Sequence, residues 1–176
     1  SVLINGSGAQ GLMSILCVKS MGAGLIMVSG SGNRLEAAKK LGAIPIDYKK
    51  EDVAARVREL TGGMGVKRVI ECSGTEAGIR QACEAVAKGG CISTVSLPKG
   101  DVSIPIRRIV LDEIEIVGNR ANPNTLSKAI PICLNFKKEI SEMITHVFPL
   151  SEYEKAFDIF NGRKDNSLKV VLKPQL

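Results

Sequence analysis

The segment Gly6-Ser7-Gly8-Ala9-Gln10-Gly11 narrows what this chain can fold into more than any other. It follows directly on the strand-like run Val2-Leu3-Ile4-Asn5 and opens a helical pattern over 9–20. A G-x-G-x-x-G sequence between a strand and a helix has a definite physical use. Gly6 permits the tight turn, Gly8 lets a diphosphate come to contact distance of the backbone, and Gly11 allows the helix to pack closely on the strand. The first-turn N–H groups lack helical acceptors. Together with the helix dipole they favour an anion by about 0.3–1 kcal/mol per charge.

The rest of the chain repeats that alternation. Residues 24–29, 44–47, 66–71 and 90–96 read as further short strands, and 33–41, 51–60 and 76–88 carry helical spacing. Val53, Val57 and Leu60 fall on one helical face, as do Ile79, Cys83 and Val86. Thr61-Gly62-Gly63 is expected to stop the third helix and Lys88-Gly89-Gly90 the fourth. Strand–helix alternation at this pitch implies right-handed βαβ units: an α/β, doubly wound parallel sheet with helices on both faces. Beyond residue 97 the rhythm changes. Glu113-Ile114-Glu115-Ile116 alternates as a strand with one more exposed face, and 124–136 reads as a helix that Pro131 should kink or split. The tail offers a strand at 145–148, a capping box at Ser151 and Glu154, a helix with Tyr153, Ala156, Phe157 and Phe160 together, and a last strand at 169–172.

Composition excludes several function classes. At 176 residues and 44% hydrophobic, the chain can build one packed domain with an appendage. Only 3% of residues are aromatic and none is Trp, which argues against base-stacking platforms. The net charge of +6 comes from scattered pairs such as Lys39-Lys40 and Arg107-Arg108, so no nucleic-acid partner is expected. No apolar run reaches the roughly 18 residues of a membrane span, and no signal peptide is visible. The five cysteines, at 17, 72, 83, 91 and 133, contain no C-x-x-C and suit reduced thiols in the cytoplasm.

Strands in the second position of such folds normally end in Asp or Glu, which hydrogen-bonds the adenosine ribose. Here Leu25–Val28 runs into Ser29-Gly30-Ser31-Gly32-Asn33-Arg34 with no carboxylate. Small hydroxyls, open backbone and Arg34 would accept a 2′-phosphate that a carboxylate would repel. The segment therefore favours NADP(H), with NAD(H) the alternative.

The glycine motif, Arg34-Leu35 leading to Ala37-Ala38-Lys39-Lys40-Leu41-Gly42-Ala43, Val69-Ile70-Glu71-Cys72-Ser73-Gly74, Lys88-Gly89-Gly90, and the tail Ile144-Thr145-His146-Val147-Phe148-Pro149-Leu150 with Lys169-Val170-Val171-Leu172 together resemble the medium-chain, zinc-type alcohol dehydrogenases. The likeness is greatest to the sorbitol/polyol and threonine dehydrogenase branch. The resemblance implies a six-stranded Rossmann domain over 1–121 and a tail over 122–176 that returns to a catalytic domain. The start at Ser1, without Met and directly in a strand, suggests a cut inside a longer protein. The zinc and the pocket for a small secondary alcohol or polyol would then lie in the other half. This chain would bind dinucleotide without turnover and hold no metal.

Carried over position by position, the resemblance implies that Gly6, Ser7, Gly8, Ala9, Gln10, Gly11 and Leu12 meet the pyrophosphate. Ser29, Gly30, Ser31 and Arg34 would surround the adenosine ribose. Cys72, Ser73 and Gly74 lie at the end of the fourth strand. Val95, Ser96 and Leu97, with Gly118, Asn119 and Arg120, would hold the nicotinamide. It also implies a homodimer through the 113–118 strand edge. A regulatory nucleotide-sensing module and a non-zinc quinone-reductase-like enzyme are the alternatives. His146 is expected to be structural, and neither Tyr48 nor Tyr153 has the Lys four residues on that the short-chain dehydrogenases carry.

Overall fold

The computed structural model describes residues 1–121 and 124–175. They form two compact units, 1–126 and 127–176, each treated separately below. Asn122 and Pro123, beside the domain boundary expected from the sequence, lie outside the described residues, as does Leu176.

In the first unit the short apolar runs become β1 (Val2–Asn5), β2 (Ile26–Gly30), β3 (Ile44–Asp47), β4 (Val66–Glu71), β5 (Val86–Thr94) and β6 (Glu115–Gly118). The helices α1 (Ala9–Ser20), α2 (Asn33–Lys40), α3 (Val53–Leu60), α4 (Glu76–Ala85) and α5 (Ile106–Leu111) alternate with them. All neighbouring strands are parallel, in the order β3-β2-β1-β4-β5-β6, the doubly wound arrangement expected. Successive strands swing outward from β1 in both directions, so the switch point lies between β1 and β4. β1 and β2 are buried throughout, as runs covered on both faces should be. Leu3, Met27, Ile46 and Val69 pack with Val53 and Val57 of α3 and Ala82 and Cys83 of α4 in the larger core. α1 and α2 pack on β1, β2 and β3 and carry a separate buried set, Leu12, Ile15, Leu16, Leu35 and Ala38. Side-chain caps start two helices: Asp52 Oδ1 accepts the Ala55 N–H at 2.7 Å, and Thr75 Oγ1 accepts that of Gly78 at 3.0 Å.

Several boundaries differ from the sequence reading. The fourth helix ends at Ala85, and Lys88-Gly89-Gly90 lies inside β5 rather than stopping α4. Val86 is buried and pairs with Val66, while pairing resumes only at Cys91 with Arg68. The extra residues between form a bulge in which Gly89 takes a φ of +62°. β6 is exposed on all four residues, not one face; only Ile114, just before it, is buried. An edge strand with a single neighbour has too little beside it to cover either face.

The second unit comprises α6 (Leu126–Asn135), whose first residue belongs to the other unit, α7 (Lys137–Met143), β7 (Ile144–Pro149), α8 (Tyr153–Gly162) and β8 (Lys169–Lys173). β7 and β8 form a two-stranded parallel sheet. α6 runs through Pro131 without splitting. Both Pro131 and Ser127, whose carbonyl loses its donor, are exposed, so water can satisfy that group. The expected capping box is absent because Ser151 sits within a single 3₁₀ turn, Leu150–Glu152, and α8 has no side-chain cap. The inward stripe of α8 is Ala156 and Ile159; Tyr153, Phe157 and Phe160 are exposed, because two short strands cannot cover a wide aromatic face. His146 stacks on Phe148, with ring centroids 6.2 Å apart, and its Nδ1 lies 2.9 Å from Thr145 Oγ1.

An added Cβ at Gly11 would land on the Gly6 carbonyl oxygen. Gly11→Ala is therefore expected to lower the unfolding free energy by about 3 kcal/mol, the upper end of overpacking costs. Urea unfolding followed by circular dichroism measures it.

Candidate functional site

The strand ends of a parallel sheet share one edge, and the expected site residues gather there. Gly6 turns the chain with a φ of +114° and donates its N–H to the Ser29 carbonyl at 3.0 Å. A Cβ on Gly6 would come within 3.0 Å of Cys72 C and Ser73 N, so no other residue fits against the end of β4. Gly8 differs. A Cβ there would meet only the Arg34 Nη1, 3.9 Å away, so its outer side faces open space. Two glycines of the motif serve packing and the middle one serves access. Gly8 has no side chain to cap α1, so the first-turn amides of Ala9, Gln10 and Gly11 point toward the same opening. Leu12 departs from the expected set: its side chain is fully buried and its amide is bonded to the Gly8 carbonyl at 2.9 Å. Its part is packing.

Ser7 is buried, and its side chain fills the volume that a Cβ at Gly30 would need. The end of β2 thus has no room for a carboxylate. Ser29 also departs from expectation. Its hydroxyl is buried and donates to Asn5 Oδ1, while Asn5 Nδ2 donates to the Gly78 carbonyl at 2.6 Å. That chain ties β2, β1 and α4 together and occupies the Ser29 hydroxyl. Ser31 stays at the surface and donates to the Tyr48 hydroxyl at 3.3 Å. Arg34, half-buried in the first turn of α2, brings its guanidinium to the Gly8 side. Tyr48 escaped the sequence reading. The signal available was its place just after β3, where its N–H donates to the Gly30 carbonyl at 3.2 Å.

On the other side of β1, the β4 and β5 ends meet around Glu71. Its carboxylate is fully buried and accepts the Ser73 N–H at 2.8 Å, a longer bond from the Gly74 N–H at 3.4 Å, and the hydroxyls of Ser73 and Ser96. The Glu71 carbonyl accepts the Val95 N–H at 3.0 Å. Gly74, at φ +67°, would bring a Cβ to 3.4 Å from the Leu97 carbonyl oxygen. The Cys72 amide donates to the Asn5 carbonyl at 2.8 Å. Burial pushes the Cys72 thiol up to about 11, only partly offset by its contact with Ser14, so it is a neutral thiol near pH 7 rather than a nucleophile. Gly118 ends β6, and Asn119 and Arg120 follow it at the exposed rim, where Asn119 bonds the Thr94 carbonyl at 2.9 Å and Ser93 Oγ at 2.8 Å. Glu71 and Asn5 were also missed as site residues, since a strand-end acid or amide carries no sequence mark of the loops it will hold.

Residues 9–135 match the family described as zinc-binding dehydrogenase. The chain belongs to that family. Sorbitol dehydrogenase of Gallus gallus is 34% identical over 177 residues, covering 98% of this chain and 49% of that protein. An alcohol dehydrogenase from Thermotoga maritima superposes with a TM-score of 0.90 at 28% identity, covering 97% of this chain and 49% of the other. A zinc-binding dehydrogenase from Sinorhizobium meliloti 1021, solved bound to NADP, gives 0.85 at 26% identity over 99% of this chain and 52% of its own. The chain spans about half the length of the curated relatives it matches. The resemblance to the polyol branch of the zinc dehydrogenases, inferred from motifs, therefore holds. Among the described residues of this zinc-binding dehydrogenase, no three His, Cys, Asp or Glu side chains come together to hold a metal, and no helix is long and apolar enough to cross a membrane.

The Cys72 shift has a direction in pH. Its folded value exceeds the ordinary 9.0, so its contribution to stability is complete below pH 9 and is lost as pH rises from 9 toward about 11. The loss runs at about 1.4 kcal/mol per pH unit over that window. Cys72→Ala is expected to give a shallower alkaline decline in melting temperature than the parent. The remaining slope includes Cys83, whose burial also raises its thiol.

Proposed function

We propose that this chain is the nicotinamide-dinucleotide-binding part of a zinc-dependent dehydrogenase that moves hydride between NAD(P) and a secondary alcohol or polyol. The open outer side of Gly8, framed by first-turn amides and by Arg34, carries the reading: it is a cradle that any Cβ would begin to fill. The diphosphate would lie on Gly6 through Gly11. The ribose of the adenosine would rest beside Gly30 and Ser31, and the nicotinamide half over Cys72–Gly74, Val95–Leu97 and Gly118–Arg120. When bound, the dinucleotide supplies the hydride-accepting carbon. The chain's own residues bind it, orient it and hold its two ends apart along the sheet edge. By the family resemblance, the zinc and the alcohol pocket belong to other parts of the protein. Five free thiols fit a reducing, cytoplasmic setting.

β2 ends without a carboxylate, Ser31 bonds Tyr48 beside it, and Arg34 reaches the Gly8 side, which supports NADP(H) over NAD(H). The acid that ends the neighbouring β3, Asp47, accepts the Lys49 N–H at 3.0 Å. Arg34→Ala is expected to weaken NADPH by about tenfold to a hundredfold, the range for one charge-assisted hydrogen bond. NADH should change by no more than about twofold. Fluorescence titration measures both. Absence of binding of either dinucleotide to the parent overturns the reading, and tighter NADH binding by the parent overturns the preference.

We propose also that β6 pairs with its counterpart in a second copy. β6 is a sheet edge with Ile116 40% and Val117 45% exposed, the kind of surface that soluble proteins otherwise blunt with charge. Analytical ultracentrifugation of the parent should give a dimer, and the double substitution Ile116→Lys, Val117→Lys a monomer. A monomeric parent overturns this.

A further inference from the structure

Glu71 is a fully buried acid at the end of a central strand. Burying a carboxylate is costly unless its lone pairs are filled, and here both oxygens are occupied by donors from two different loops. Oε1 takes the amide and hydroxyl of Ser73; Oε2 takes the amide of Gly74 and the hydroxyl of Ser96. The residue therefore ties the loop after β4 to the loop after β5. The tie is reinforced where Gly74 closes on the Leu97 carbonyl and Val95 bonds the Glu71 carbonyl.

Sheet order gives the tie a purpose. The glycine turn leaves β1; Ser31, Arg34 and Tyr48 lie on the β2–β3 side of it, and the loops held by Glu71 lie on the β4–β5 side. A dinucleotide whose diphosphate sits on the glycine turn and whose adenosine end lies toward β2 must run its other end over β4 and β5. We propose that Glu71 is a positioning residue: it sets the register of the 72–74 and 95–97 loops that receive the nicotinamide end, while leaving the adenosine end untouched. The proposal rests on the dinucleotide-binding reading given above.

An acid is required because every partner is a donor. In Glu71→Gln, whichever way the amide turns, its NH₂ faces a backbone N–H, from Ser73 or from Gly74, and neither can rotate away. The loops must part at one of the two.

The test compares two probes on the full chain by calorimetry: ADP, which reports on the glycine turn and adenosine side alone, and NADPH or NADH, which reports on both ends. Glu71→Gln is expected to weaken the whole dinucleotide by about tenfold and leave ADP within about twofold of the parent. Ser96→Ala, which removes one hydroxyl donor from a half-buried loop position, should weaken the dinucleotide by about threefold, again without affecting ADP. Should Glu71→Gln fail to fold, Glu71→Asp, whose shorter acid cannot reach both loops, decides the matter with the same two probes. Equal losses for ADP and dinucleotide, or no loss for either, overturn the proposal. A parent that binds neither probe overturns instead the reading on which it rests.

Discussion

The constraint on which the site depends is the approach of the β1–α1 turn to the end of β4. Gly6 lies so near Cys72 and Ser73 that a single added carbon would be squeezed at 3.0 Å, and the Cys72 amide is bonded to the Asn5 carbonyl across the same gap. β1 and β4 are where the winding of the sheet reverses, so their loops diverge to opposite faces and leave a crevice. The crevice exists because glycine occupies positions 6 and 11: one permits the turn, the other lets α1 settle onto it. Gly8 can then present bare backbone outward.

Buried polarity follows the same geometry. The buried polar residues among those described are Asn5, Ser7, Ser29, Glu71 and, in the second unit, Ser167. The first four all stand at the carboxyl edge of the large sheet. Glu71 holds two loops, Asn5 and Ser29 tie β2 and β1 to α4, and Ser7 packs against Gly30. Unsatisfied polar groups in such places would cost more than apolar replacements. Their presence where the loops diverge indicates that loop placement, rather than core stability, is what they secure.

The strand–helix alternation was legible because periodicity and length reported it directly. Val2–Asn5, Ile44–Asp47 and Val66–Glu71 came out at their observed bounds. The fourth helix did not. Lys88-Gly89-Gly90 reads as a stop, yet the chain had already turned at Val86, where tertiary pairing with Val66 outweighs local spacing. The tail was misread for a related reason: Ser151 and Glu154 satisfy the capping pattern, but a 3₁₀ turn after β7 takes up that stretch. At the site, the motif located the turn but could not say which members face outward. Leu12 and Ser29 fit the family pattern, and the fold spends both on internal contacts. Tyr48 and Glu71 have the opposite character, since only the pairing of β3 with β2 and of β4 with β5 brings them to where they act.

The missing acid after β2 is a consequence of packing. A carboxylate at position 30 would have to displace Ser7, and Ser7 is buried in the glycine turn itself. Under the proposed NADP(H) preference, serine there would exclude the group that repels a 2′-phosphate. Arg34 is the second step, reaching from α2 to the Gly8 side where negative charge would collect. In the proposed reading, a preference for the phosphorylated cofactor needs both the excluded acid and the added guanidinium. The first of these is set by the volume of the Ser7 side chain against Gly30.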